Sequence, residues 1–335
     1  MATPKYLLIP SALQEWKESW RFRQIYSRLR YLKTLIVPHP QFSQVIADIQ
    51  DMTGYCIRLA EGDLYGVIAE TGAGKTTVTK YFRERWRDRI LPEVSIRRVC
   101  FFNVPPRPSS STMSSALLHA LGDPRWKNGG SDELENRCKT LLKKCRTRLV
   151  LIDNTHDIPE RRRKPGVREV GNWMRSLVDD VPALLVCLGS EEARGVIEAN
   201  SQARRRGPGF RRIDYFTASP DDKVGSGRLL RLLYEIDKKL PLAEMCGLSE
   251  PLLATRISIA TNGVIDLIVK LLMAAIKICV KDRREKLSLN DLARAFSEIW
   301  KDGAPSANPF NPDVIPKPLI EPGEPFHLWL EDGYE

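Results

Sequence analysis

Several kinds of chemistry are missing from this chain. Its seven cysteines form no C-x-x-C pair, and none of its four histidines stands at zinc-site spacing from them. A structural zinc site and a redox dithiol are thereby excluded. An odd, scattered set of thiols suits a reducing cytoplasm, and Cys100 and Cys187 fall in expected strands, where a thiol packs as a small hydrophobe. The first residues carry no continuous apolar stretch, so no signal peptide is expected. The most apolar helical pattern, residues 264–280, is interrupted by Lys270 and Lys277 and is too short to span a bilayer. No internal repeat is apparent. The expected location is the cytoplasm, with no membrane partner.

What is present describes a globular protein. Hydrophobic residues make up 42% and charged residues 28% of the 335, enough for one large or two ordinary domains with a proper core. The net charge of +10 points to an acidic partner, nucleic acid first.

The chain is organised around Ala69-Glu70-Thr71-Gly72-Ala73-Gly74-Lys75-Thr76, a Walker A pattern with Ala69 in place of its first glycine. Gly72 and Gly74 let backbone N–H groups turn toward phosphate oxygens, since no Cβ blocks the conformations required. Lys75 places a charge on the β- and γ-phosphates of ATP, and the Thr76 hydroxyl can complete a Mg²⁺ shell. Thr71 through Thr77 form the expected nucleotide set. Leu64-Tyr65-Gly66-Val67-Ile68 before the loop reads as a buried parallel strand, and residues 77–89 after it as a helix whose N-terminus favours an anion.

Upstream, residues 11–32 show amphipathic helical spacing, and Pro38-His39-Pro40 separates them from a second helix over 41–59. His39, between prolines, reads as a loop residue. Downstream, a strand over 94–104 leads to a turn-rich loop, 105–112, and helices over 113–121 and 132–145. Ser111 and Thr112 can simply cap the helix that follows them. The strand 148–152 ends in Asp153, a Walker B pattern whose carboxylate can orient Mg²⁺ through water. Asn154 then stands where additional-strand ATPases carry a glutamate, and an amide can position a water but cannot take its proton. Glu70 and Asp157 are other carboxylates near in sequence. The site is built to bind ATP and poorly equipped to hydrolyse it.

Arg161-Arg162-Arg163-Lys164 is either a solvated charge run or a phosphate-backbone contact before a helix over 167–178. A fourth strand, 183–189, ends at Ser190, which fits a sensor touching the γ-phosphate or a helix N-cap. Arg204 and Arg205 lie in a Gly/Pro-broken turn before a fifth strand at 213–216. They read as fingers reaching a neighbour's nucleotide, or as a DNA-facing patch. Helices over 227–239, 250–260, 264–281 and 288–300 form a lid. The proline-rich tail ends in Phe326-His327-Leu328-Trp329-Leu330, a docking motif for a partner or a strap on the lid. The expected divisions are a helical extension (1–60), an α/β P-loop core (61–217), the lid (218–302) and the tail (303–335).

Together these motifs resemble the AAA+ transposition regulators of the TniB/TnsC family, found in transposons that include CRISPR-associated ones. The likeness rests on Val37-Pro38-His39-Pro40-Gln41-Phe42, Leu188-Gly189-Ser190-Glu191-Glu192-Ala193, Ala203-Arg204-Arg205-Arg206-Gly207-Pro208-Gly209-Phe210 and Asn262-Gly263-Val264-Ile265-Asp266-Leu267 with its continuation to Leu271. The TnsC branch fits better than TniB. The resemblance implies a three-layer α/β ATPase with a helical lid in the bacterial cytoplasm. It implies assembly with ATP into rings or helical filaments on duplex DNA, connecting a TniQ-type target-selection factor to the transposase. It places Arg107, Ser111 and Thr112 against the DNA backbone. Asn154 departs from the pattern, and no sensor 2 arginine follows Gly263. A remodelling or helicase-loader enzyme with real turnover, and a signalling switch with no DNA role, are the other classes of reading.

Overall fold

The structure, a computed structural model, describes residues 20–91, 95–161, 164–198, 209–216, 223–301 and 308–327. The chain forms two compact units. One spans His39–Asp214; the other joins the two ends of the chain, Met1–Pro38 and Tyr215–Glu335. The grouping thus cuts across the expected divisions: helix 40–59 belongs with the α/β core, and the first helix and the tail belong with the lid.

In the α/β unit, α2 (Pro40–Leu59) precedes β1 (Asp63–Ala69), and α3 (Lys75–Arg85) follows it; α1 lies in the other unit. A short antiparallel hairpin, β2 (Arg89–Ile90) with β3 (Ser95–Ile96), leads to β4 (Val99–Asn103). Then come α4 (Ser110–Leu121), α5 (Ser131–Lys144), β5 (Leu149–Asp153), α6 (Asp157–Arg161), α7 (Lys164–Asp180), β6 (Leu184–Gly189), α8 (Arg194–Glu198) and β7 (Phe210–Ile213). Five strands form one parallel sheet in the order β4-β5-β6-β1-β7. Every residue of β6 is buried, as are Leu149 to Ile152 of β5, because helices cover both faces of a parallel sheet. Phe102, Met113, Leu117, Trp173 and Leu177 pack into one core with alternate strand residues.

Several expectations shift, among them the strand expected over 94–104, which is β3 and then β4. The P-loop helix begins at Lys75 and ends at Arg85, where 77–89 was expected. α4 begins at Ser110, so Ser111 and Thr112 are helical, and Ser109 caps it in a reciprocal box with Thr112. The fifth strand is Phe210–Ile213, paired with Gly66–Ala69, and not 213–216. His39 is the N-cap of α2: its Nδ1 accepts the Phe42 N–H at 3.3 Å. Burial pushes that imidazole down to about 4.

The helical unit contains α1 (Trp20–Thr34), α9 (Lys223–Asp237), α10 (Pro251–Thr261), α11 (Ile265–Lys281) and α12 (Leu289–Ile299). α1 packs on α11, burying Ile25 and Leu32, and Arg28 forms a bidentate pair with Glu285 at 2.8 Å. The segment 308–327 has no helix or strand, yet Phe310, Leu319 and Phe326 are buried in the same core. The buried Arg256 guanidinium donates to the carbonyls of Pro309, Asn311 (2.9 Å) and Val314 (3.4 Å). Phe326 meets Trp300 edge-on at 5.6 Å. Phe326 therefore straps the tail onto its own helical unit; Leu328 and Trp329 lie outside the described residues. No helix among the described residues is long and apolar enough to cross a membrane.

Candidate nucleotide site

The site forms where β1, β5 and β6 end, the side of a parallel sheet on which connecting loops can gather around a ligand. Gly72 (φ 79°) and Gly74 (φ 112°) take backbone conformations that favour glycine, and a Cβ built on Gly74 meets nothing within 4 Å. The loop is thus an open cradle. At the start of its helix the Lys75 and Thr76 N–H groups have no helical acceptor of their own, while that of Thr77 donates to the Gly74 carbonyl at 2.9 Å. Phosphate oxygens fit that donor set.

Lys75 is half-buried, and its ammonium donates to the Ala69 carbonyl. Burial lowers its pKa, while the carboxylates of Glu70, Asp153 and Glu192 pull it back up. Thr76 is exposed at the start of α3. Asp153 closes β5, and its Oδ1 accepts the Asn154 N–H at 2.8 Å. Thr76 and Asp153 are the residues available to a Mg²⁺ ion.

Asn154 has φ 60°, in the left-handed region where asparagine is tolerated far better than glutamate. The amide therefore has a backbone reason as well as a chemical consequence. After it, Thr155 donates both its N–H (3.0 Å) and its hydroxyl (2.6 Å) to the Leu188 carbonyl, stitching the loop after β5 to the end of β6. Gly189 sits so tightly there that an added Cβ would come within 2.5 Å of Ala193 Cβ. Asp157 Oδ1 lies 3.8 Å from His156 Nε2.

Ser190 occupies an N-cap position but makes no capping bond. Its hydroxyl donates to the Glu192 carboxylate instead. That bond, followed by Glu192's own N–H, holds the Glu192 carboxyl below its usual range against burial, with His156 and Lys75 adding to the pull. Glu192 is the site residue that sequence reading missed. Its only signal was a second acidic residue after Ser190.

The arginine-bearing turn is partly visible. Arg204 and Arg205 lie outside the described residues, as does Arg162, and the Arg161 side chain is not described. Arg211 and Arg212 hold β7 in place: Arg211 donates to Asp48 Oδ2 (2.8 and 2.7 Å), Arg212 to Asp214 and Glu191. Tyr65 of β1 also donates to Asp48, at 2.8 Å. Burial pushes Asp48 up, but the bonds from Gln44, Tyr65 and Arg211 outweigh it. Arg107 is exposed, Ser111 half-buried, and the Thr112 hydroxyl is engaged with Ser109 and the Arg107 carbonyl.

The bacterial TniB protein family model matches residues 28–214 of this chain. The chain belongs to the TniB family. Solved structures extend the fold assignment of this TniB-family chain. Cdc6p from Pyrobaculum aerophilum superposes with a TM-score of 0.57 at 14% identity, covering 81% of this chain and 70% of that one. ORC2 from Aeropyrum pernix, in ADPNP–ADP complexes, gives 0.56 at 16% over 83% and 72%. ORC1 from the same organism, in complex with DNA, gives 0.55 at 16% over 82% and 70%. At such identities the similarity establishes the fold: a three-layer α/β AAA+ P-loop ATPase with a helical C-terminal part. No curated protein matches the chain.

Proposed function

We propose that this TniB-family chain binds Mg-ATP in the loop after β1 and, so loaded, oligomerises on duplex DNA as a transposition regulator. It then connects a TniQ-type target-selection protein to the transposase. The observation that carries the reading is the open cradle at Gly74, with the half-buried Lys75 ammonium beside it, in a chain of this family. ORC2 was solved with nucleotide and ORC1 with DNA on the same fold, which supports both ligands.

In this reading Thr71, Gly72, Ala73, Gly74 and Thr77 contribute the backbone cradle, and Lys75 contributes charge on the transferred phosphoryl group. Thr76 and Asp153 would hold the metal, which would supply positive charge against the phosphates. Ser190 senses the γ-phosphate and Asn154 orients water without taking its proton. Arg204 and Arg205 of one subunit reach the nucleotide of the next. Arg107, Ser111, Arg161 and Arg162 meet the DNA backbone; Thr112, whose hydroxyl and N–H are both engaged in the capping box, orders that loop. The test is imaging of assemblies on duplex DNA with a non-hydrolysable ATP analogue. Filaments or rings that form with wild type and vanish in Lys75→Ala are expected; normal assembly by Lys75→Ala overturns the reading.

Glu192 favours a second reading, a remodelling or helicase-loading enzyme with real turnover, because it returns a carboxylate to the site. Brisk DNA-stimulated ATP hydrolysis would select that reading.

A further inference from the structure

The amino ends of the strands form a surface with no part in the nucleotide site, about 17 Å away across a five-residue strand. Two stretches distant in sequence meet there. Residues 83–98 and 143–148 together carry ten Lys/Arg against three Asp/Glu, a surplus of seven in a chain whose total is +10. They are joined backbone to backbone: the Arg97 N–H donates to the Cys145 carbonyl at 2.9 Å, and the Arg148 N–H to the Arg98 carbonyl at 3.0 Å.

A bland explanation covers part of this charge. Arg83 and Arg85 lie in the last turn of α3, and Lys143 and Lys144 in the last turn of α5, where cations complement the helix dipole. Arg97 is also accounted for, donating to the Ala120 carbonyl at 2.7 Å and pairing with Asp88 at 3.5 Å. Arg87, Arg89, Arg98, Arg146 and Arg148 are not. Arg87 and Arg146 lie beyond the helix ends, Arg89 in β2, and Arg98 and Arg148 just before β4 and β5; among the described residues their side chains make no ion pair or hydrogen bond. All but Arg98 are exposed. Arg146 is the most telling of them. It takes φ 53° just beyond α5, a left-handed position where glycine is the unstrained choice. A guanidinium is kept there at a conformational cost.

Five uncompensated like charges repel one another, so the surface calls for an anionic partner. All five are arginine, whose planar fork matches phosphate oxygens two at a time. We propose that this sheet edge is a second DNA-contact face, gripping the phosphate backbone of a duplex through Arg87, Arg89, Arg98, Arg146 and Arg148. It takes the choice of polyanion from the DNA-binding reading above, and adds a face at the opposite end of the sheet from Arg107 and Ser111. An acidic protein is the competing occupant; it would also use Ile90, which is 83% exposed on the same hairpin.

The full chain is titrated with a labelled duplex over a range of salt concentrations, with and without a non-hydrolysable ATP analogue. Removing one phosphate-binding side chain lowers the salt slope by about 0.9. Arg87→Gln/Arg89→Gln/Arg146→Gln/Arg148→Gln is expected to lower the slope by about 3 to 4 while fluorescent-nucleotide binding stays unchanged. Arg146→Gly guards against a folding artefact: it relieves the left-handed strain, so thermal stability holds or rises while the slope falls by about 1. Ile90→Ser is expected to leave DNA affinity as it was. Wild-type slopes in both arginine variants, with wild type binding DNA, overturn this inference and leave the DNA-binding reading standing. Loss of DNA affinity in Ile90→Ser but not in the arginine variants overturns it in favour of a protein partner. A wild-type chain that binds no duplex at any salt overturns both.

Discussion

At the carboxyl ends of β1, β5 and β6 the charges answer one another. Lys75 sits among Glu70, Asp153 and Glu192, Ser190 holds Glu192, and Asp153 takes the Asn154 N–H. At the amino ends of β4 and β5, five arginines stand without an anion among the described residues. On the proposed reading the first end takes a ligand that brings both phosphate and metal, which suits charges that are nearly balanced and a space kept open. The second is prepared for a ligand that brings only negative charge. A single sheet can serve both because its strands keep the two ends apart and its core is indifferent to either.

The comparison can be broken from the nucleotide end first. Lys75→Ala should lower nucleotide affinity about 100-fold, the worth of a charge-assisted contact of about 3 kcal/mol, and abolish nucleotide-dependent assembly. Nucleotide-free DNA binding measured by anisotropy should persist; if it disappears too, the two ends are not independent. Asn154→Glu comes next. It should raise steady-state turnover by about 10²-fold and shorten the life of ATP assemblies. The same change should cost about 1 kcal/mol in thermal unfolding, because glutamate is forced to a positive φ that asparagine tolerates. Unchanged turnover in both Asn154→Glu and Asn154→Ala would show that another group activates the water. Glu192→Gln should reduce the remaining turnover about tenfold and leave nucleotide affinity equal or tighter, since a negative charge leaves the phosphate site.

The smallest change to function is expected from His39, away from both ends. Its native pKa is pushed down to about 4 by burial, against about 6.5 in an unfolded chain. A depressed value means stability fully present above pH 6.5 and lost as pH falls toward 4, where the folded state also takes up the proton. His39→Asn, which keeps a capping oxygen, should flatten that dependence in denaturant titrations between pH 7 and 4 without altering nucleotide affinity.

Local patterns made the nucleotide end legible. The apolar run before Ala69, the glycines after it and the apolar strand ending in Asp153 each declare themselves within ten residues, and the structure sets them side by side. β7 was harder: Arg211 and Arg212 disguise a strand whose partner is β1, and Ile213, Tyr215 and Phe216 drew the reading three residues downstream. Glu192 was hidden because nothing in sequence says that a serine at a strand end will turn its hydroxyl outward and not cap the next turn. The arginine edge was illegible for a different reason. Its halves lie about 50 residues apart and become one surface only through the pairing of Val99 with Leu149. The pairing of chain ends in the helical unit, and the burial of Phe326, are long-range facts of the same kind.

That last feature sets a birth order. The α/β unit closes at Asp214, but the core of the helical unit needs Phe326, some 112 residues later. At roughly 5–20 residues per second of synthesis, the ribosome holds the two events about 6–22 s apart. The nucleotide loop is therefore finished while α1, made before that loop, still shows Ile25 and Leu32 to water. The earliest-made helix among the described residues is among the last to find its place.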